Sequence, residues 1–245
     1  MRLVVKMKSN KLILPLNYKS IIQGVIYNMM SREKEGDFYH NYGYCKQEKV
    51  YKMFVFSDLY GKYQVENKKI IFSNEIKLYI SALDKNLFRI IYEYLIQNDY
   101  LFINNQKVNI AGIDILNLPH FNGVKDIIIK TISPVVTYTC KDKYFTYYNP
   151  QAKEFENLVR ANINHKMQAY NYPTKECIFK INEVIYKKKK LVHFKNTFYE
   201  AYQCELVITT NYESLKIIYD TGLSAKGSCG FGMIEYKNEK SILSI

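Results

Sequence analysis

A chain of 245 residues holds either one large domain or two of about 120 residues, and each of these can bury a core. Hydrophobic residues make up 48% and aromatics 15%, with 24 Tyr, no Trp, 10 Gly and 5 Pro, which excludes a disordered or low-complexity chain. Lys plus Arg number 35 against 23 Asp plus Glu, and the net charge of +12 favours a polyanionic partner, nucleic acid ahead of an acidic membrane surface.

The first residues, "MRLVVKMKSNKLILPL", alternate as a strand, and charges interrupt them too often for a signal peptide. No window reaches the length of a membrane span, so the expectation is a cytoplasmic protein without a membrane partner. Asn17 is expected to cap a helix carrying Ile21, Ile22, Val25, Ile26, Met29 and Met30 on its apolar stripe. A polar loop, "REKEGDFYHNYGYCKQEK", leads to a strand in "VYKMFVFS", and a hairpin through Gly61 and Asn67 returns as "KIIFS". A long helix is expected from Ser73-Asn74-Glu75, with Ile76, Ile80, Leu83, Leu87, Ile91 and Tyr94 inward, and "KVNIAGIDIL" closes the half as a strand.

The second half repeats that order. Strands lie in "DIIIKTISPVVTYT" and "KYFTYY", a helix begins at Asn149-Pro150, and strands follow in "ECIFKINEVIY" and "TFYEAYQCELVITT". A short helix, "YESLKIIYD", capped by Asn211 and stopped at Gly222, precedes the last strand. The expected class is α+β: tandem ferredoxin-like (β-α-β-β-α-β) domains, residues 1–121 and 122–245, with a C-terminal glycine-rich loop. The linker is "LPHFNGVK".

That loop, "GLSAKGSCGFGMIEY", places Gly222, Gly227, Gly230 and Gly232 close together. Gly222, four residues and Gly227 begin like a phosphate-binding P-loop, but Ser228-Cys229 stands where Lys-Ser/Thr is needed and a strand follows instead of a helix, which counts against a nucleotide-dependent enzyme. Bare backbone approaching a phosphate and a plain helix-to-strand connection remain as readings. The five cysteines (45, 140, 177, 204, 229) show no CxxC, and the four histidines (40, 120, 165, 193) show no HExxH. The expectation is reduced, mostly buried thiols and no metal or other cofactor.

Taken in order, the N-terminal strand, "YKSIIQGVIYNMM", "KMFVFS", "ISPVVT", "KEFENLV" and "GSCGFGMIEY" resemble the CRISPR-associated endoribonucleases of the RAMP superfamily, which cut precursor CRISPR RNA within its repeats. The glycine loop is the most specific match. The resemblance implies a Tyr on the first helix, a His in the next loop and a Lys at the start of the second strand, at positions similar to Tyr27 in "GVIYN", His40 in "FYHNY" and Lys52 in "YKMFVFS". It also implies repeat RNA as the partner, no DNA, products with 2′,3′-cyclic phosphate and 5′-hydroxyl ends, and leaves contact with other effector-complex proteins open.

The residues support the trio separately. Tyr27 sits opposite the apolar stripe among Ser20, Gln23, Gly24 and Ser31, where a ribose or base fits. Histidine, with an unperturbed pKa of about 6.5, exchanges protons near neutrality, and a lysine supplies positive charge beside a phosphorane. Whether His40 acts as base or acid stays open at this point. For binding, "YKKKKLVHFKN" places Lys187, Lys188, Lys189 and Lys190 at a hairpin tip or rim, and Lys226 and Phe231 join the four loop glycines as candidate RNA contacts. The competing reading is an inert relative that holds repeat RNA without cutting it.

Overall fold

The computed structural model describes residues 1–173 and 176–237. In chain order the elements are β1 (Arg2–Pro15), α1 (Lys19–Met30), β2 (Tyr44–Lys46), β3 (Lys49–Tyr51), β4 (Phe54–Phe56), β5 (Tyr60–Glu66), β6 (Lys69–Ala82), α2 (Lys85–Ile96), β7 (Tyr100–Ile103) and β8 (Gln106–Leu116). They continue with β9 (Val124–Thr131), β10 (Tyr138–Lys141), β11 (Tyr144–Tyr147), α3 (Lys153–Ala169), β12 (Phe179–Phe194), β13 (Thr197–Asn211), α4 (Tyr212–Thr221) and β14 (Ile234–Lys237). The class is α+β.

The first sheet runs β4-β6-β1-β8-β7, with β5 also on β6, and its pairings are antiparallel. Leu3, Val5 and Met7 of β1 meet Ile22, Ile26 and Met29 of α1 and Leu87, Ile91 and Leu95 of α2 in one core. The second sheet runs β12-β13-β9-β14, also antiparallel. Its core joins Ile127, Ile129, Leu206 and Ile208 to Phe155, Val159 and Ile163 of α3 and to Leu215 and Ile218 of α4. The opening strand is central in both: β1 lies between β6, which enters α2, and β8, the hairpin partner of the β7 strand that leaves it, and β9 lies between β13, which enters α4, and β14, which follows it. Arg2, buried at the joint, donates to Ser81 Oγ (2.8 Å) and to the Tyr219 carbonyl (3.0 Å).

The helix expected from Ser73 is strand as far as Ala82, and α2 begins only at Lys85. A spacing of four residues satisfies both a period of 3.6 and a period of 2, so Ile76 and Ile80 fit either element. Pairing decides between them, because β6 bonds β1 on one side and β4 and β5 on the other. Asn17 does not cap α1: Tyr18 occupies the cap, and the Asn17 amide instead reaches His193 Nδ1 at 3.2 Å. Similarly, α3 starts at Lys153, since the Asn149 side chain accepts from Gln151 N–H in a turn that precedes it. Asn211 does cap α4, accepting from Ser214 N–H at 3.1 Å, and Gly222 ends it at φ 87°.

Of the cysteines, Cys204 is buried, Cys177 and Cys229 are half-buried, and Cys45 and Cys140 are exposed, which corrects the expectation of mostly buried thiols. All five are free thiols. No helix among the described residues is long and apolar enough to cross a membrane.

Candidate active site

Helix α1 turns Ile22, Ile26 and Met29 into the core. Gln23 and Tyr27, four residues apart, therefore share a flank that faces the helical turn Gly227–Cys229. Gln23 Nε2 donates to the Ser228 carbonyl at 2.7 Å, and the Tyr27 side chain is hydrogen-bonded to Ser228. Burial, assisted by Cys229, pushes the Tyr27 phenol up to about 12 against that hydrogen bond, so near neutral pH it is a proton donor and not a base.

The loop after α1 winds into a π-helical turn, Phe38–Tyr42, closed by a hydrogen bond from Gly43 N–H to the Phe38 carbonyl (2.7 Å). His40 stands on this turn, exposed, with its ring edge-on to Tyr27 at 4.6 Å between centroids. Its Nδ1 lies 2.7 Å from Asn41 Oδ1, while Asn41 Nδ2 donates to the Asp37 carboxylate. Asp37 can only accept, so it fixes the amide with Oδ1 toward the imidazole; in the neutral ring Nδ1 then carries the proton and Nε2 the lone pair.

Lys52 follows β3 in a bend where Met53 takes φ 52°. Its ammonium donates to the carbonyls of His40 (2.9 Å) and Tyr42 (3.2 Å), which ties the histidine turn to the sheet. Burial lowers its pKa, with Cys45 opposing. The three residues expected from the sequence thus converge, although Lys52 precedes β4 instead of opening it.

The glycine loop is placed otherwise than expected. The close approach foreseen for phosphate at Gly222, Gly227, Gly230 and Gly232 is taken up by protein. A Cβ on Gly227 would lie 2.1 Å from the Thr221 carbonyl oxygen and 3.0 Å from that of Phe54; one on Gly230, at φ 80°, would lie 2.5 Å from the Phe56 ring. Buried side chains hold the loop's carbonyls: Lys19 donates to Gly230 (2.8 Å), and Lys166 to Thr221 (3.3 Å), Gly222 (2.8 Å) and Ser224 (3.0 Å). Burial pushes the Lys166 ammonium down to about 7. Phe231 is 0% exposed, packed with Val136, Phe194, Tyr199 and Ala201, so no RNA base stacks on it in this arrangement. Half-buried Lys226 lies 6.0 Å from the Tyr138 ring centre and 5.6 Å from that of Tyr199.

Residues 117–236 of the chain match the family model described as "CRISPR associated protein Cas6, C-terminal". The chain belongs to the Cas6 family. It is 27% identical over 244 residues to the CRISPR-associated endoribonuclease Cas6 1 of Methanocaldococcus jannaschii, covering 95% of this chain and 92% of that one. Against the CRISPR-associated endoribonuclease Cas6 of Pyrococcus furiosus the identity is 25% over 249 residues, 98% of this chain and 90% of that one. A solved structure described as "CRISPR associated protein Cas6" shares the fold, with a TM-score of 0.77 at 23% identity over 97% of this chain and 99% of that one.

A residue that sequence reasoning missed organises the site of this Cas6 chain. Asp84 caps α2, accepting from Leu87 N–H (2.9 Å), and also accepts from the Tyr39 (2.9 Å) and Tyr44 hydroxyls at either end of the histidine turn. Arg89 of α2 adds ion pairs to Glu33 (3.2 Å) and Glu35 (3.3 Å) in the same loop. "LDKNLF" reads as a cap followed by a helix, but the helix misplaced at Ser73 hid it. Asp84→Ala should lower unfolding free energy by about 1–2 kcal/mol in urea titration, with Asp84→Asn, which still caps, losing less than half of that.

The lysine run sits in the outer part of the β12–β13 hairpin, whose tip is Lys195-Asn196, instead of at the tip itself. Strand alternation sends Lys187 and Lys189 to one face, where they meet Gln151 and Glu200 respectively, and Lys188 and Lys190 to the other. The run is two pairs instead of one patch.

Proposed function

We propose that this Cas6-family chain is a metal-independent endoribonuclease that binds CRISPR repeat RNA in precursor transcripts and cuts it by attack of a 2′-hydroxyl on the adjacent phosphate, releasing guide RNAs with 2′,3′-cyclic phosphate and 5′-hydroxyl ends. The convergence of Tyr27, His40 and Lys52 carries this reading. His40 Nε2, left with its lone pair by the Asp37–Asn41 chain, takes the 2′-hydroxyl proton. The Lys52 ammonium spends two N–H groups on the turn and has a third for the developing phosphorane charge. Tyr27, held neutral by burial, donates a hydrogen bond to ribose or to the phosphate. As the 2′-oxygen closes the cyclic phosphate, the P–O5′ bond breaks and the departing 5′-oxygen takes a proton from solvent, balancing the one His40 removes. No cofactor enters this scheme.

The central opening strand of both sheets supports a reading as tandem ferredoxin-like domains, 1–121 and 122–245, with the glycine loop as the clamp between them. Transfer of the cleaved guide to other effector-complex proteins in the cytoplasm fits this role.

Incubation of an end-labelled repeat RNA with the protein in excess EDTA tests the activity, and one discrete cut with a cyclic-phosphate end is expected. An uncut repeat would favour the inert binder, and a cut that appears only with Mg²⁺ would reject the mechanism. On the binding side, replacing Lys187 to Lys190 with Ala should flatten the slope of log K against log[salt] by about 1.4–1.8, the value for two phosphate contacts and not four, because the run is split between faces. Filter binding over a salt series measures it, and an unchanged slope would mark the run as merely solvated.

A further inference from the structure

Strand β5 bonds β6 along one edge, and no other strand among the described residues pairs with its outer edge. All seven of its residues are exposed. Open edges of this kind recruit further strands, and proteins blunt them by keeping them short or by lining them with lysine. Other edges of this chain show both devices: β7 has four residues, and β12 carries Lys187 to Lys190. Neither protects β5, whose single lysine, Lys62, is balanced by Glu66 in a chain of net charge +12.

The turn after β5 decides which backbone groups face outward. Asn67 and Lys68, at φ 49° and 59°, make a two-residue type I′ turn, so the flanking pair Glu66 and Lys69 is hydrogen-bonded and the pattern alternates from there. Gln64 therefore also bonds β6, while Tyr63 and Val65 aim their N–H and C=O groups at the open edge. Their side chains lie opposite Phe72 and Ile70, on the face that forms core further in, yet Tyr63 is 61% and Val65 54% exposed. Lys62, Gln64 and Glu66 occupy the other face. A strip of backbone and a margin of the core are thus uncovered together.

We propose that the cover is a second copy of this chain, with β5 against β5, antiparallel about a two-fold axis through Gln64. An axis between two residues would set an outward-facing residue against an inward-facing one, so the axis passes through a residue. Through Tyr63 it would set Lys62 against Gln64, and through Val65 it would set Lys62 against Lys68. Through Gln64 it sets Lys62 of each copy against Glu66 of the other. Tyr63 then exchanges N–H and C=O bonds with Val65 of the other copy, the apolar side chains of the two cover each other, and the exchange repeats across the axis. The first sheets of both copies become one continuous sheet. This contact is independent of the nuclease reading, since it uses neither His40 nor RNA.

Sedimentation velocity of the full, RNA-free chain, from about 5 to about 200 μM protein, tests it. A strand-edge contact belongs to the small, dissociable class of interfaces, so a dimer that grows with concentration is expected. Lys62→Glu and Glu66→Lys each turn attraction into repulsion at both symmetry-related pairs, and each should weaken the dimer by about tenfold or more. The double exchange, Lys62→Glu with Glu66→Lys, should restore it to within about threefold of wild type, because the pairs are then opposite again. Both positions are exposed, and unchanged circular dichroism of the variants would show that the fold is kept. A wild-type chain that stays monomeric throughout, a dimer indifferent to the single reversals, or a double exchange that fails to restore it would each overturn the proposal.

Discussion

Gly230→Ala is expected to lower the unfolding free energy by about 2–5 kcal/mol, among the largest effects of any single methyl group in this chain. Holding a non-glycine residue at φ 80° costs about 1–2 kcal/mol. The new Cβ, 2.5 Å from the Phe56 ring, adds the strain of an overfilled core, about 1–3 kcal/mol. Gly227→Ala should cost at least as much, because the atoms met are backbone oxygens and not the far end of a flexible side chain. Gly24→Ala is the control: that helical position is exposed with nothing within 4 Å, and the change should stabilise by about 0.5–1 kcal/mol. Chemical denaturation of the three variants measures the set. A Gly230→Ala protein as stable as wild type would show that the loop is not the clamp described, and would restore the idea of bare backbone kept free for phosphate.

The clamp explains why the loop was legible in part. Four glycines in a short stretch announce that backbone must come close to something, and that much held. What it approaches is a matter of tertiary placement: α1 and β4 on one side and the end of α4 on the other, brought by segments far away in sequence. Lys19 and Lys166 were invisible for a related reason. A buried lysine donating to several carbonyls looks, in sequence, like any solvated lysine on a helix. Most elements could be read because they carry a clear period, and α4 could be read to within a residue because Asn211 and Gly222 act locally. Where one spacing fitted two periods, at Ile76 and Ile80, pairing on both edges of β6 decided the outcome, and Asp84 was lost with it. The trio came from resemblance for its chemistry and from helix geometry for Tyr27, whereas the π-helical turn that carries His40 to it has no sequence signal of its own.

That turn is where the chemistry is exposed to test. If the 2′-oxygen is the nucleophile, a single 2′-deoxy substitution just upstream of the cut abolishes cleavage while hardly changing affinity, and EDTA is harmless. His40→Ala should then slow single-turnover cleavage by about 10²-fold or more at saturating protein, since a proton-transfer group is lost and no phosphate contact with it. Asn41→Ala should produce a smaller loss, about tenfold, because Nδ1 no longer has the acceptor that keeps the lone pair on Nε2. Lys52→Ala should be as damaging as His40→Ala, for it removes the charge beside the phosphorane and also the two bonds that hold the His40 turn. Tyr27→Phe keeps the ring against His40 and loses only the donor, so its deficit reports the hydroxyl alone. A deoxy substrate cut at the normal rate would sink the mechanism outright. Normal cutting by His40→Ala would leave 2′-hydroxyl attack standing but move its base elsewhere, and His193 on the β12–β13 hairpin, bonded to Asn17 and stacked on Phe198, would be the next histidine to replace.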